Sequence, residues 1–398
     1  MLVRILAYFV PFAINFLNGG FFFITAHRFA QAGCPGIVVG GSVTAWGVSY
    51  CLVTMIVGKL MKLSNAMAFI LSGGLLLTLT STGFIIFDGL YTQFLWLIFS
   101  GTGAALFCAP FQLLAKSIES GGENSGAVSA TSFYTLTWSL GFASGPLAFA
   151  RLSPRQGFFI TLLLALAVTV SVILIALLRC SKNPAAAADK PAAAIPVQKF
   201  TLETFTKLAI LGWIVGGLGT ITVSQIRAMW PKLGEELAVP KDHVAYILAL
   251  VSYVQAFTAL ALCRSRQWMW KRLPALLMSL CGIISLLLFA FGNKLLTVCN
   301  GNILIFYLPA ALYGIYSGCL YFYLVYHSLA HPTRSGFFVA GNEIIVGITS
   351  MLSPIIGGVL ADFTGFTGSA FILAAAMSLS ALAAQWIILD PAKLAEEK

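Results

Sequence analysis

Twelve apolar stretches of about 20 residues or more run along the chain, at 5–29, 36–58, 66–87, 91–115, 126–150, 157–179, 205–230, 243–263, 273–292, 302–327, 336–360 and 368–389. Each is long enough to cross the hydrocarbon layer of a bilayer as a helix. Such a chain has few ways to fold. Backbone N–H and C=O groups in lipid must find partners within their own segment, which a helix provides. The connections are short except for "SKNPAAAADKPAAAIPVQKF" at 181–200, a Pro- and Ala-rich stretch with scattered charges that reads as a flexible linker. The expected architecture is an all-α membrane protein of twelve transmembrane helices in two pseudo-symmetric six-helix bundles. The bundles cover 1–180 and 205–398, joined by a linker at 181–204.

Composition agrees. Hydrophobic residues make up 59% of the chain, charged residues only 9%, and mean hydropathy is +0.93. A soluble domain carries roughly 25% charged residues, so this chain does not have the charge to cover a water-facing surface. The net charge of +10 reads as short basic loops beside the spans, and no nucleic-acid partner is expected. With the N-terminus inside, most Lys and Arg fall on the inner side, among them Lys59, Lys62, Lys116, Arg264, Arg266, Lys271, Arg272 and Arg334. That asymmetry places both termini and the linker in the cytoplasm. The apolar run after Arg4 extends to about Ala26, longer than the roughly 7–15 residues of a signal-peptide core, so it reads as the first span despite the cleavage-like Ala30-Gln31-Ala32. Short loops and the lack of an N-x-S/T sequon fit a bacterial inner membrane.

No catalytic constellation is present. The sequence has no Walker A loop, no GxSxG and no HExxH. The eight cysteines form no CxxC pair, and Cys34 and Cys299 read as free thiols. His27, His243, His327 and His331 are scattered. The expectation is a protein that is not an enzyme, with no cofactor and no metal. There is no room for a soluble nucleotide-binding domain, so any transport is driven by gradients.

The halves echo each other. Gly20 precedes Arg28 by eight residues, Gly219 precedes Arg227 by eight, and the two pairs are offset by 199. Span 5 opens with Ser125-Gly126 and closes near Pro146, while span 11 opens with Ser335-Gly336 and contains Pro354. These matches point to a duplication. Six spans plus six, both termini inside and a long middle loop resemble the major facilitator superfamily over almost the whole chain. "GTGAA" (Gly101 to Ala105) looks like the tail of that family's fourth-span motif, with Leu97 where the motif has arginine. "GFASGP" (Gly141 to Pro146) looks like its GxxxGP motif, associated with antiporters, and "SPIIGGVLADFTG" (Ser353 to Gly365) resembles a common end of span 11. "GKLMKLSN" (Gly58 to Asn65) keeps the basic residues of the loop between spans 2 and 3 but has Lys62 at the aspartate position. The resemblance implies alternating access of a monomer around a central cavity lined by spans 1, 4, 5, 7, 8, 10 and 11.

Candidate site residues follow from polar groups inside apolar runs. Ionisable residues within a membrane are costly and mark function by default. Glu343 lies seven residues into span 11, about 10 Å from its inner edge. A carboxylate there is expensive in its charged form, so Glu343 is the candidate for proton coupling; the alternative is a fixed hydrogen bond to Asn342 or a neighbouring helix. Asn15, Asn18, Gln112, Tyr134, Trp138, Gln225, Gln255 and Asn342 are candidates for substrate binding, and each lies in a span of the lining set. Tyr313 and Tyr316 in span 10 are three apart on one face and join them. The competing reading for each is a helix–helix hydrogen bond. Arg28 and Arg227 read as a pseudo-symmetric pair at the outer mouth, either attracting an anionic solute or snorkelling at the rim. Gly141 and Gly145 allow close helix approach, and Pro146 and Pro354 are expected to kink spans 5 and 11 as gates.

The function expected from these residues is secondary active transport of a small polar organic solute, anionic or sugar-like, with protons as a possible second partner through Glu343. Two alternatives stand beside it: a proton-antiport exporter of lipophilic compounds, and a non-transporting sensor or scaffold on the same fold.

Overall fold

The computed structural model describes residues 2–119, 126–180, 201–262 and 267–388. Residues 181–200 of the expected linker lie outside the described residues. Among the described residues the chain forms helices and no strand: α1 (Leu2–Gln31), α2 (Gly36–Leu60), α3 (Ala66–Ile86), α4 (Thr92–Glu119), α5 (Gly126–Arg151), α6 (Pro154–Cys180), α7 (Leu202–Glu236), α8 (Lys241–Leu262), α9 (Arg272–Ala290), the short α10 (Gly292–Val298), α11 (Tyr307–Ala330), α12 (Ser335–Thr364) and α13 (Gly368–Ile388). The twelve long helices match the twelve apolar runs. Eleven of them are long and apolar enough to cross a membrane. The other is α5, whose apolar character is diluted by Thr131, Ser132, Thr135, Thr137, Ser139 and Ser144. The protein is a multi-pass membrane protein.

Apolar residues point outward as well as inward. Leu52, Met55 and Ile56 on α2, Leu75 and Leu79 on α3, Leu163, Val170 and Leu177 on α6, and Leu277 and Ile284 on α9 are exposed. In water this belt would be an aggregation surface; around a membrane bundle it meets lipid. The inward faces carry the polar groups. Many pair locally, as with Thr25, whose hydroxyl donates to Phe21 O at 2.6 Å.

Six pairs of helices join the two halves of the chain, most extensively α2 with α12, α5 with α8 and α1 with α7, and also α5 with α11, α2 with α7 and α4 with α12. The α2–α12 seam is the tightest. A Cβ built at Gly40 would lie 2.1 Å from Pro354 O, and one at Gly358 would lie 2.3 Å from Gly36 O. Within the first half, α5 lies equally close to α1: a Cβ at Gly141 would sit 2.1 Å from Phe12 O, and one at Gly145 would sit 2.4 Å from Phe16 O. Both α5 and α12 run on through their prolines, Pro146 and Pro354. Backbones this near exclude any side chain, the packing mode of small residues in membranes.

Polar ties close both ends of the interface between the halves. At the C-terminal end of α12, Asp362 accepts from Gly36 N at 2.6 Å and Ile37 N at 2.8 Å, so a carboxylate from α12 caps the start of α2. Near the N-terminal end of α12, Lys116 Nζ donates to Leu329 O at 2.9 Å and Ser335 Oγ at 3.1 Å. The central cavity lies between these ties.

The seam is testable. Gly40→Ala forces α2 away from Pro354 and is expected to lower stability by about 1–3 kcal/mol, the usual range for overpacking. Gly41→Ala is the matched control, since its Cβ would meet Phe94 Cε1 at an ordinary 3.5 Å. Thermal unfolding in detergent should separate the two; equal melting temperatures would contradict the packing described.

Candidate functional site

A cavity opens between the two halves. Asn15 and Asn18 of α1, Trp46 and Tyr50 of α2, and Tyr134, Trp138 and Phe142 of α5 line one side. Thr220, Ser224 and Arg227 of α7, Tyr321 of α11, and Asn342, Glu343 and Ser350 of α12 line the other. Both sides therefore combine aromatic faces with hydrogen-bonding tips, which suits a polar organic molecule.

Glu343 is buried, and among the described residues no cation pairs with it. Its oxygens are satisfied from across the interface. Tyr50 Oη donates to Oε2 and Gln112 Nε2 donates to Oε1. Both donors are supplied by helices of the first half, and the carboxylate by the second. Tyr50 is held in turn by Trp46, stacked at 4.5 Å between ring centroids with planes 14° apart. Gln112 also reaches Tyr134 Oη, at 3.5 Å.

Across the cavity, Trp138 meets Tyr321 edge to face at 4.8 Å. The Arg227 guanidinium lies 3.9 Å from the centre of the Phe142 ring, a cation–π contact between the halves. Thr220 faces Thr349 at 2.9 Å and Ser224 faces Ser350 at 3.3 Å, which fixes the register of α7 on α12. In that register Arg227 stands roughly 15 Å along the bundle axis from Glu343, at 1.5 Å per residue. The two charges occupy opposite ends of one cavity.

The sequence-based site residues divide into two groups. The structure brings Asn15, Asn18, Tyr134, Trp138, Asn342 and Glu343 to the cavity wall, with Gln112 directly behind Glu343. Four substrate-binding candidates lie elsewhere. Gln225 donates to Ser353 O at 2.7 Å and ties α7 to α12. Gln255 donates to Ser139 Oγ at 2.6 Å and ties α8 to α5. Tyr313 shares a hydrogen bond of 2.5 Å with Thr222 Oγ1. Gln255 and Tyr313 line an adjoining cavity, which Arg227 and Phe142 share with the central one. Tyr316 faces a separate cavity beside Trp268 and Gln385. For Gln225 and Gln255 the helix–helix reading describes the contacts observed.

Of the expected outer-mouth pair, Arg227 alone lies elsewhere. Arg28 forms an ion pair of 2.5 Å with the half-exposed Asp88 near the end of α1. Arg227 is not at the mouth. It lies nine residues before the end of α7, whereas Arg28 lies three before the end of α1, so equal sequence offsets end at different depths. Tyr50 and Trp46 were missed because aromatics in an apolar run read as packing. The signal available was a tyrosine hydroxyl in mid-span, which requires a partner.

No protein-family model and no curated protein matches the chain. Solved structures do match in fold. The nucleoside transporter NupG superposes with a TM-score of 0.62 at 14% identity, covering 98% of this chain and 99% of that one. A mutant form of NupG gives 0.65 at 14% identity, covering 98% and 100%. The human organic anion transporter MFSD10 (TETRAN) gives 0.61 at 14% identity and 96% of each chain. The fold is that of the major facilitator superfamily.

The Glu343 clamp yields a stability prediction. Tyr50→Phe keeps the ring on Trp46 but removes a hydrogen bond to a charged group, expected to cost about 1.5–3 kcal/mol. Tyr50→Phe combined with Glu343→Gln should cost less than the two single changes added together, because the hydroxyl then no longer serves a charge. Melting temperatures of the three variants check this; strict additivity would contradict it.

Proposed function

We propose that the protein is a secondary active transporter that moves a small polar organic solute across the membrane by alternating access, with Glu343 as its proton-coupling group. In this reading the segments 1–180 and 205–398 rock as two bundles about the linker at 181–204. The termini are cytoplasmic, the membrane is a bacterial inner membrane, and the protein works as a monomer. The solute sits among Asn15, Asn18, Tyr134, Trp138 and Asn342.

One observation carries the reading: both donors to the Glu343 carboxylate come from the opposite half. A movement that separates α12 from α2 and α4 removes Tyr50 and Gln112 together. Hydrogen bonds donated to a carboxylate favour its charged form, so losing both on separation favours the protonated form, and closure favours release. Proton binding is thereby linked to which arrangement of the halves is populated, as coupling requires. Solved proteins of this fold described as nucleoside and organic anion transporters fit a polar solute of similar size. The exporter alternative rested on Gly141 to Pro146; here Gly141 and Gly145 serve the close contact of α5 with α1.

The test starts with purified protein in detergent and a panel of sugars, nucleosides, organic acids and lipophilic cations. A ligand that binds the folded state alone raises stability by about 2.7 kcal/mol at 100 times its dissociation constant. The stabilising solute is then followed into liposomes under an imposed pH gradient. Wild type should accumulate it. Glu343→Gln should exchange it across the membrane without responding to the gradient. An unchanged response would refute the coupling role, and stabilisation by lipophilic cations alone would refute the polar-solute reading.

A further inference from the structure

Of the residues lining the central cavity, Arg227 is the one guanidinium and Glu343 the one carboxyl group. They form no ion pair with each other or, among the described residues, with any other group. Glu343 has its two donors. Among the described residues Arg227 has a ring face and no acceptor: a guanidinium offers five N–H donors, and it lies over the Phe142 ring. A cation at a cavity wall with its donors unspent is a ready anion site, and Arg suits a planar carboxylate through paired hydrogen bonds.

We propose that the cavity takes a singly anionic solute with a planar ring, that Arg227 holds its anionic group, and that each bound solute brings one proton to Glu343. This rests on the transporter reading above and names its substrate class and stoichiometry. The argument is charge balance. Without solute the cavity holds one positive and one negative group. An added monoanion leaves an excess negative charge in an interior where uncompensated charge is heavily penalised. Protonation of Glu343 restores neutrality. A neutral solute would leave Arg227 unserved, and a dianion would leave the excess in place, so the cavity selects single negative charge. Ring preference follows from Trp138, Tyr321 and Phe142, which line the space between the two charged ends.

Glu343 is the acid that responds in this arrangement. The titratable groups facing it are Tyr50 from α2, Cys108 from α4, Tyr134 from α5 and Tyr321 from α11. These are phenols and a thiol, neutral at pH 7 in ordinary surroundings. Arg227 from α7 stays charged throughout that range.

Calorimetric titration of the full chain in detergent tests the proposal, with benzoate and nicotinate as monoanions, benzamide and nicotinamide as their neutral isosteres, and phthalate as a dianion. Two buffers of different ionisation heat report proton uptake. The monoanions should bind, with their isosteres and phthalate weaker by on the order of 30-fold, the lower end for a lost buried charge partner. Uptake should be about one proton per ligand in wild type by linkage. Glu343→Gln should bind benzoate with no uptake and with an affinity independent of pH. Arg227→Gln should lose benzoate binding by a similar factor while its melting temperature shows it folded, and Arg227→Lys should recover part of it. Equal binding of acid and amide, binding of the acids without proton uptake, or no binding by either acid overturns the proposal. A neutral solute carried by proton-driven uptake would overturn it and leave the transporter reading standing. Acid binding with proton uptake but no movement across liposomes would do the reverse.

Discussion

Among the described residues, Glu343 depends on the opposite half of the protein for both hydrogen bonds its carboxylate accepts. A buried charge fixed within its own bundle would be indifferent to how the bundles sit. Here Tyr50 and Gln112 reach it from α2 and α4, so the electrostatic state of α12 and the relative position of the halves constrain each other. The surrounding geometry serves this contact. Trp46 holds the Tyr50 ring, and Tyr134 stands beside Gln112. The glycine seam lets α2 and α12 approach closely enough for a tyrosine on one to reach a carboxylate on the other.

Polar groups in this bundle divide between holding and presenting. Gln225, Gln255 and Tyr313 spend their hydrogen bonds on neighbouring helices. Asn15 and Asn342 also bond to backbone carbonyls, Pro11 O at 2.9 Å and Leu324 O at 3.1 Å, yet both keep a face on the cavity. The distinction is one of depth and rotation about the helix axis. It decides which amides help set the shape of the cavity and which meet what enters it.

The helices were legible because lipid demands long apolar runs, and the structure ends most of them within a few residues of where the runs end. Polar helix extensions were less so. α7 continues to Glu236, past the apolar run, helped by a Lys232–Glu236 pair of 3.1 Å one turn apart. Hydropathy stops at such charges although the helix does not. The seven-residue α10 is too short to leave a periodic signal. At the site, Glu343, Gln112 and the asparagines stood out as polar residues in apolar surroundings. Tyr50 and Trp46 did not, since an aromatic ring in a span carries no such contrast. Arg227 was visible but misplaced, because its depth depends on how far α7 extends. Which face of each helix meets the cavity is a tertiary property, and no single span encodes it.

The contact of α2 with α12 has one more consequence. Close approach extends from Gly36 against Gly358, through Gly40 against Pro354 and Gly47 against Ser350, to Cys51 against Gly347. On the opposite flank, Ser139 meets Gln255 and Arg151 meets Tyr246 where α5 and α8 join. No acyl chain fits between backbones so close, so the α2–α12 flank has no lateral door to the lipid. In this arrangement of the halves, a molecule dissolved in the bilayer has no direct way to Trp138 by that side.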